Sequence, residues 1–70
     1  MPLVKVIEVI SSSEISIEDA VRNAVKEASK TVRNIDSVWV KDIKAHVKGD
    51  QVTTFGVICH ISFRLDSSPI

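Results

Sequence analysis

The sequence predicts an α+β fold in which one helix covers a three-stranded antiparallel sheet, in the chain order β-α-β-β. One stretch, residues 16–34, repeats its apolar residues with helical spacing. Three other stretches, residues 3–10, 37–48 and 51–66, are rich in β-branched residues and alternate as strands do. The chain has only 70 residues, with two glycines and two prolines, so we expect residues 1–70 to form a single domain without a linker.

The composition gives no support for several classes of function, among them nucleic-acid binding and metal binding. Nine basic and nine acidic residues cancel, which gives no electrostatic argument for binding nucleic acid or an anionic membrane. No apolar run approaches the roughly 20 residues of a membrane-spanning helix, so we expect a cytoplasmic protein. The single cysteine excludes an intrachain disulfide, and no Cys/His spacing is typical of a metal site. Because so short a chain builds only a small core, we expect self-association to stabilise it.

The helical stretch carries recognisable end signals. Ser16 precedes the first apolar residue, and its hydroxyl is placed to accept from the Asp19 amide, with Asp19 in the reciprocal position of a capping box. Asn34 is a residue type that ends helices in the left-handed conformation. The sequence therefore predicts a helix from 16 to 34, whose core stripe comprises Ile17, Ala20, Val21, Ala24, Val25, Ala28 and Val32.

The first two strands depart from simple alternation. Both faces of strand 3–10 are largely apolar, which predicts that both are covered. In strand 37–48 the alternation slips by one residue, and a β-bulge near Lys41-Asp42 would restore it. Trp39 and Ser37 then point away from the helix, while the face toward it carries Val38, Val40, Ile43, Ala45 and Val47.

The third strand has the clearest pattern. It follows a hairpin turn at Gly49-Asp50 and is long enough to reach a neighbouring subunit. Residues 67–70 are predicted to be a frayed tail. The core face of the strand is predicted to carry Phe55, Val57, Cys59, Ile61, Phe63 and Leu65.

No residue pattern indicates an enzyme, and we assign no catalytic or metal-binding residue. Cys59 lies on the core face, which favours a small hydrophobic role over a nucleophilic one. His46 and His60 lack nearby acid and nucleophile partners in the sequence, so surface or interface roles are favoured. Trp39 is either an oligomer contact or a stacking platform for a planar ligand. Arg64 either pairs with an acid of a neighbouring subunit or holds a ligand phosphate.

Four segments of the sequence resemble the dodecin family. Residues 4–8 (VKVIE) resemble its opening strand, and residues 62–66 (SFRLD) resemble its closing G-F-R-L-E. Residues 13–20 (SEISIEDA) follow its S-x-x-S-W-E-E-A helix start, with Ile17 in place of the tryptophan. Residues 24–34 (AVKEASKTVRN) follow A-V-x-x-A-S-x-T-L-R-N. The match covers nearly the whole chain and is in register throughout.

The resemblance implies a hollow homododecamer that binds flavins, FMN or riboflavin, stacked in pairs at two-fold subunit interfaces. It also implies that the ligand site includes Ser37, Phe55 and Gly56, beside the candidates Trp39 and Arg64. Ser37 stands where flavin-binding members carry the stacking tryptophan. Gly56 stands where they carry a glutamine that bonds the flavin edge, after an aromatic residue that is kept as Phe55. Both replacements predict weaker flavin binding.

Two functions follow as hypotheses. The first is a dodecameric binding and storage protein for flavin or another planar, phosphate-bearing ligand, without turnover. The second is a variant dodecin without flavin, acting as a structural shell or cation-binding particle. In both, the partners are other copies of the chain, and neither nucleic acid nor membrane is a partner.

Overall fold

The computed structural model describes residues 3–65, which form one helix and three strands. These are β1 (Val4–Ser13), α1 (Ile17–Ala28), β2 (Ile35–Lys48) and β3 (Gln51–Arg64). The strands make a single sheet in the order β1-β3-β2, and both pairings are antiparallel. The predicted α+β class and β-α-β-β order are therefore confirmed. The predicted tail, residues 67–70, lies outside the described residues.

The core lies between α1 and the central strand. Val57, Cys59 and Ile61 alternate along β3 and are fully buried, as the third-strand pattern predicted. They meet small side chains on the helix, where alanines let the backbones approach closely. Phe55 and Phe63 are half-buried, but Leu65 is exposed, so its assignment to the core was wrong. It lies beyond the end of β3, where no part of the helix covers it. The helix contributes Ala20, Ala24 and Ala28 to the core.

The start of α1 follows the predicted cap in one half only. Ser16 is the N-cap, and its Oγ accepts from the Asp19 amide at 2.9 Å. The Asp19 carboxylate does not complete a capping box. It accepts instead from the Ser13 hydroxyl at 2.6 Å. The Ser13 Oγ in turn accepts from the Ile15 amide. The polar residues before the helix therefore belong to a strand and not only to a loop, since β1 continues to Ser13 and that serine is buried.

The helix ends at Ala28, six residues before the predicted end at Asn34. The hydroxyls of Ser29 and Thr31 bond backbone carbonyls of the last turn, and such bonds compete with continued helix. Asn34 does adopt the expected left-handed conformation, with φ of 62°. It turns the chain into β2 rather than closing the helix, and its carbonyl accepts from the Arg64 amide.

The bulge predicted near Lys41-Asp42 is confirmed. Val40 pairs with Cys59 and Asp42 with Ile58, so Lys41 is the extra residue. The Asp42 carboxylate accepts from the following amide, of Ile43, at 2.9 Å. Because of the extra residue, four of the five residues predicted for the face toward the helix pair with core-face positions of β3: Val38, Val40, Ile43 and Ala45. The assignment of Val47 to this face was wrong. A second irregularity between His46 and Val47 pairs it with Val52 of the outer set, and it is 64% exposed.

The hairpin of β2 and β3 extends beyond the helix. It turns at Gly49, where φ is 65°, and the molecule is 55 Å long but only 19 by 14 Å in its other dimensions. Every residue from 41 to 53 is exposed. We call residues 41–53 the hairpin arm. Three large apolar residues lie exposed on it: Ile43, Val47 and Val52.

Within residues 3–65, no helix has the length and apolar character needed to cross a membrane.

Replacing Ile61 by lysine should prevent folding. This side chain is fully buried against the helix, and an unpaired charge there costs several kcal/mol of a total stability of about 5–15 kcal/mol. Ile61→Val should fold and lose only about 0.5–1.5 kcal/mol. Circular dichroism during thermal unfolding distinguishes the two. A cooperative transition of the lysine variant near the parent's Tm would show that the faces of β3 are assigned the wrong way round.

Candidate functional site

The candidate site lies on the sheet face turned away from α1, which we call the outer face. Residues that alternate with the buried positions of β3 point to it, including Gly56, His60 and Ser62. Directly paired residues of neighbouring strands share a face, so Ser37 and Trp39 of β2 lie there too. Both were predicted to point away from the helix, and the register confirms this.

Trp39 takes part in a row of three side chains that crosses all three strands. Glu8 of β1 pairs with His60 of β3, which in turn pairs with Trp39 of β2. His60 Nε2 lies 2.9 Å from Glu8 Oε1, where an ionised carboxylate accepts from the ring N–H. The imidazole and indole rings meet edge to face, with centroids 5.5 Å apart and planes at 77°. Lys41 Nζ reaches the same Glu8 oxygen at 3.5 Å.

This row changes the acidity of its carboxylate. The hydrogen bond from His60 and the charge of Lys41 hold the pKa of Glu8 below its ordinary value of 4.5. Both contacts favour the ionised carboxylate, and they outweigh the slight opposing effect of burial. Glu8 is therefore a carboxylate throughout the neutral range, able to anchor the imidazole.

Ser37 makes a hydrogen bond to the neighbouring strand and has no ring. Its Oγ lies 2.6 Å from Ser62 Oγ, and the two residues pair directly across β2 and β3. Two short hydroxyls bonded to each other offer no flat apolar surface. Ser37 thus supplies no ring for a planar molecule to stack on.

Gly56 lies in a groove of about 340 Å³ at the other end of the outer face. An added Cβ at this glycine would only meet the Lys44 carbonyl at 3.6 Å and the Ser11 carbonyl at 4.0 Å, which is ordinary contact. The fold does not require glycine here, and a side chain would project into the groove. Polar groups from both neighbouring strands surround the groove, namely Ser11, Ser12, Asp42, Lys44 and His46.

The five predicted site residues do not meet at one point. Ser37 and Trp39 are close on β2, but Ser62, the partner of Ser37, is six residues or about 20 Å from Gly56 along β3. Arg64 is exposed and two residues further on. Phe55 pairs with Ser13 and Ala45 on the helix side, away from the other four. The structure of one chain thus brings together only Ser37 and Trp39.

Sequence reasoning missed Glu8, His60 and Lys41 as neighbours of Trp39. One signal was present, since Glu8 is the only acid in the apolar strand 3–10. Its partner could not be named without the register of β1 on β3. Cys59, by contrast, is buried as predicted, and burial raises the pKa of its thiol, which disfavours the reactive thiolate. Among residues 3–65, no three His, Cys, Asp or Glu side chains are grouped as a metal site requires.

Comparison with known proteins gives one consistent result. The profile of the dodecin family matches residues 3–66. A dodecin of Thermus thermophilus is 31% identical over 64 residues, which are 91% of this chain and 93% of that protein. The crystal structure of a tryptophan-to-phenylalanine variant of a Thermus thermophilus dodecin superposes with a TM-score of 0.89. It is 30% identical and covers 96% of this chain and 100% of its own. The dodecin of Streptomyces coelicolor gives a TM-score of 0.88 and 34% identity, over 96% of each chain.

Glu8 should make the stability of the protein depend on acid pH. Its pKa is lowered in the folded state, so its contribution is present above the unfolded value near 4.5 and lost as pH falls through the folded value. The Tm difference between the parent and Glu8→Gln should therefore shrink as pH is lowered from 6 to 3. In a His60→Gln background the same difference should be smaller at every pH, because the largest cause of the shift is gone. A parent–variant difference that grows toward pH 3 would contradict this assignment.

Proposed function

The chain belongs to the dodecin family, and on that premise we propose that it forms a homododecamer that binds planar aromatic ligands of the flavin class, FMN or riboflavin, and sequesters them without turnover. Dodecins are small, non-enzymatic, flavin-binding proteins that form dodecamers. The observation that carries the proposal for this chain is the exposed indole of Trp39 on the outer face. A cytoplasmic location stays a prediction from the sequence.

Self-assembly is supported by two apolar surfaces that the helix does not cover. On the outer face, Val4, Val6 and Ile10 of β1 are exposed, the last at 76%. On the hairpin arm, Ile43, Val47 and Val52 are exposed by more than half. Monomeric proteins rarely expose apolar patches of this extent, and larger ones mark interaction sites. A second copy that covers the outer face accounts for strand 3–10 being apolar on both faces, since its other face packs against the core.

The residues that replace the family's flavin contacts do not fit a flavin in the family's manner. Ser37 is bonded to Ser62 and has no ring, and Gly56 has no side chain to bond the flavin edge. The ring that this chain does present is Trp39, two residues along β2 and 46% exposed. A stacked ring pair contributes about 0.5–1.5 kcal/mol beyond the area it buries. We therefore place the stacking contact at Trp39 and expect weaker flavin affinity than the family's usual contacts provide.

Arg64 and Phe55 have different parts in this proposal. Arg64 is exposed at the end of β3, about 26 Å along the strand from Gly56, so it meets a ligand or an acid only where another copy approaches. Phe55 lies on the helix side, and we assign it to packing beneath the groove rather than to direct ligand contact. The groove beside Gly56, with Lys44 and His46 on its rim, suits the polar or phosphate-bearing end of a ligand.

A second candidate is a dodecameric shell that has lost flavin binding and serves as a structural or cation-binding particle. The hydrogen bond between Ser37 and Ser62 favours this candidate. It occupies the position of the family's stacking ring with two hydroxyls that already bond each other. Ligand titration separates the two candidates.

The assembly should be visible in solution. Sedimentation velocity at micromolar concentration should give one species of about twelve times the 7.7 kDa chain mass. Replacing Ile10 by aspartate puts a charge into the proposed contact surface but not into the core, and should yield smaller species that keep their secondary structure. A folded monomer of the parent chain would contradict the proposal.

Riboflavin should bind in the tens of micromolar range, reported by quenching of its fluorescence. Trp39→Ala should weaken binding about 5- to 10-fold, while Trp39→Phe keeps a ring and should weaken it less. Ser37→Trp with Gly56→Gln restores a ring and an amide together worth about 2–4 kcal/mol, and should tighten binding about 30-fold or more.

The riboflavin titration can also contradict the proposal. Binding by the parent that Trp39→Ala leaves unchanged would refute Trp39 as the platform. No binding by the parent, with tight binding by the double variant, would favour the shell without flavin. The double variant also tests the groove, since a Cβ at position 56 meets its neighbours only at ordinary contact distances.

A further inference from the structure

We propose that Glu8 and His60 are a positioning pair that holds the Trp39 indole in one orientation and so prepares it as a platform for planar ligands. The ligand part of this inference rests on the proposed function. The orientation of the ring does not, because it follows from contacts within one chain.

The register of the sheet produces the arrangement. Glu8, His60 and Trp39 are directly opposite one another on β1, β3 and β2, so their side chains stand side by side on one face. The central member is held from both sides. Its Nε2 is 2.9 Å from the Glu8 carboxylate, and its ring meets the indole edge to face at 5.5 Å.

An exposed tryptophan on a sheet has few restraints of its own. The Trp39 side chain rotates about two torsions, and nearly half of its surface is free. The imidazole is the more buried partner, with 25% of its side chain exposed, and Glu8 fixes its ring plane through the hydrogen bond. A ring fixed on one side of the indole removes rotamers that would otherwise compete, which lowers the entropy cost of stacking a ligand on the free side.

An ion pair lies beside His60 and joins the two edge strands. Glu8 of β1 bonds the imidazole, and Lys41 of β2 reaches that same carboxylate. Asp42 lies at the next outer-face pairing, opposite Ile58. The helix contributes no charge here because it packs on the other face. The Lys41 ammonium favours the ionised form of Glu8, so the carboxylate stays available as an acceptor for the His60 ring N–H.

The experiment uses the indole itself, because Trp39 is the single tryptophan of the chain. Its emission and fluorescence anisotropy decay are recorded on the ligand-free assembled protein at pH 8. His60→Gln removes the ring that meets the indole and should change the emission. His46→Gln, the matched change of the other histidine, should leave the emission as in the parent.

Local motion of the Trp39 indole shows whether His60 and Glu8 hold the ring in place or only lie beside it. At pH 8 the anisotropy decay of Trp39 should show faster local motion in His60→Gln and in Glu8→Gln than in the parent and in His46→Gln. Unchanged local motion in both variants would overturn the positioning role, whatever happens to the emission.

Riboflavin titration then tests the consequence for the ligand. His60→Gln should weaken binding about 3- to 10-fold in the parent background. In the Ser37→Trp, Gly56→Gln background it should have little effect, because that variant has its own stacking ring. Equal binding by parent and His60→Gln would overturn the positioning pair's role in ligand binding. If the parent does not bind riboflavin at all, the proposed function fails, and anisotropy still decides whether the pair orients the ring.

Discussion

The structure depends on the double-sided pairing of β3. This strand bonds to β1 along one edge and to β2 along the other, so every side chain of the sheet takes its face from its partner on β3. One set of β3 residues is buried by the alanine stripe of the helix, and burying a side chain such as Ile61 contributes about 1.5–3 kcal/mol. A slip of one residue would exchange the two faces, and this energy makes such a slip unfavourable.

The bulge at Lys41 is what lets β2 serve both faces. Before it, Val38 and Val40 pack toward the core while Ser37 and Trp39 point outward. Without the extra residue, the alternation would turn Ile43 and Ala45 to the outer face. The bulge also gives Lys41 a position from which its ammonium group reaches Glu8. A single inserted residue therefore connects the packing of the sheet with the electrostatics beside the tryptophan.

In the proposed function, the outer face departs from the family's flavin site at two positions. Ser37 and Gly56 are the residues that the family resemblance places at ligand contacts. Ser37 belongs to a hydroxyl pair and Gly56 lines a groove. The aromatic ring appears two residues later, on the same face, and its neighbour across β3 is a histidine held by a carboxylate. In this proposal the chain keeps the shell and changes the ligand contacts, so that ligand preference differs while assembly is retained.

The sequence by itself determined the order of elements, the N-cap at Ser16, the core face of β3 and the bulge in β2. Each of these depends on side-chain periodicity or on residues a few positions apart, which are visible in one dimension. The end of the helix was predicted six residues too late, because an apolar stripe does not show where hydroxyls of the last turn capture its carbonyls. The row of Glu8, His60 and Trp39 could be found only in the tertiary structure. Its members are separated by 21 residues or more along the chain, and only the registers of two strand pairs bring them into contact.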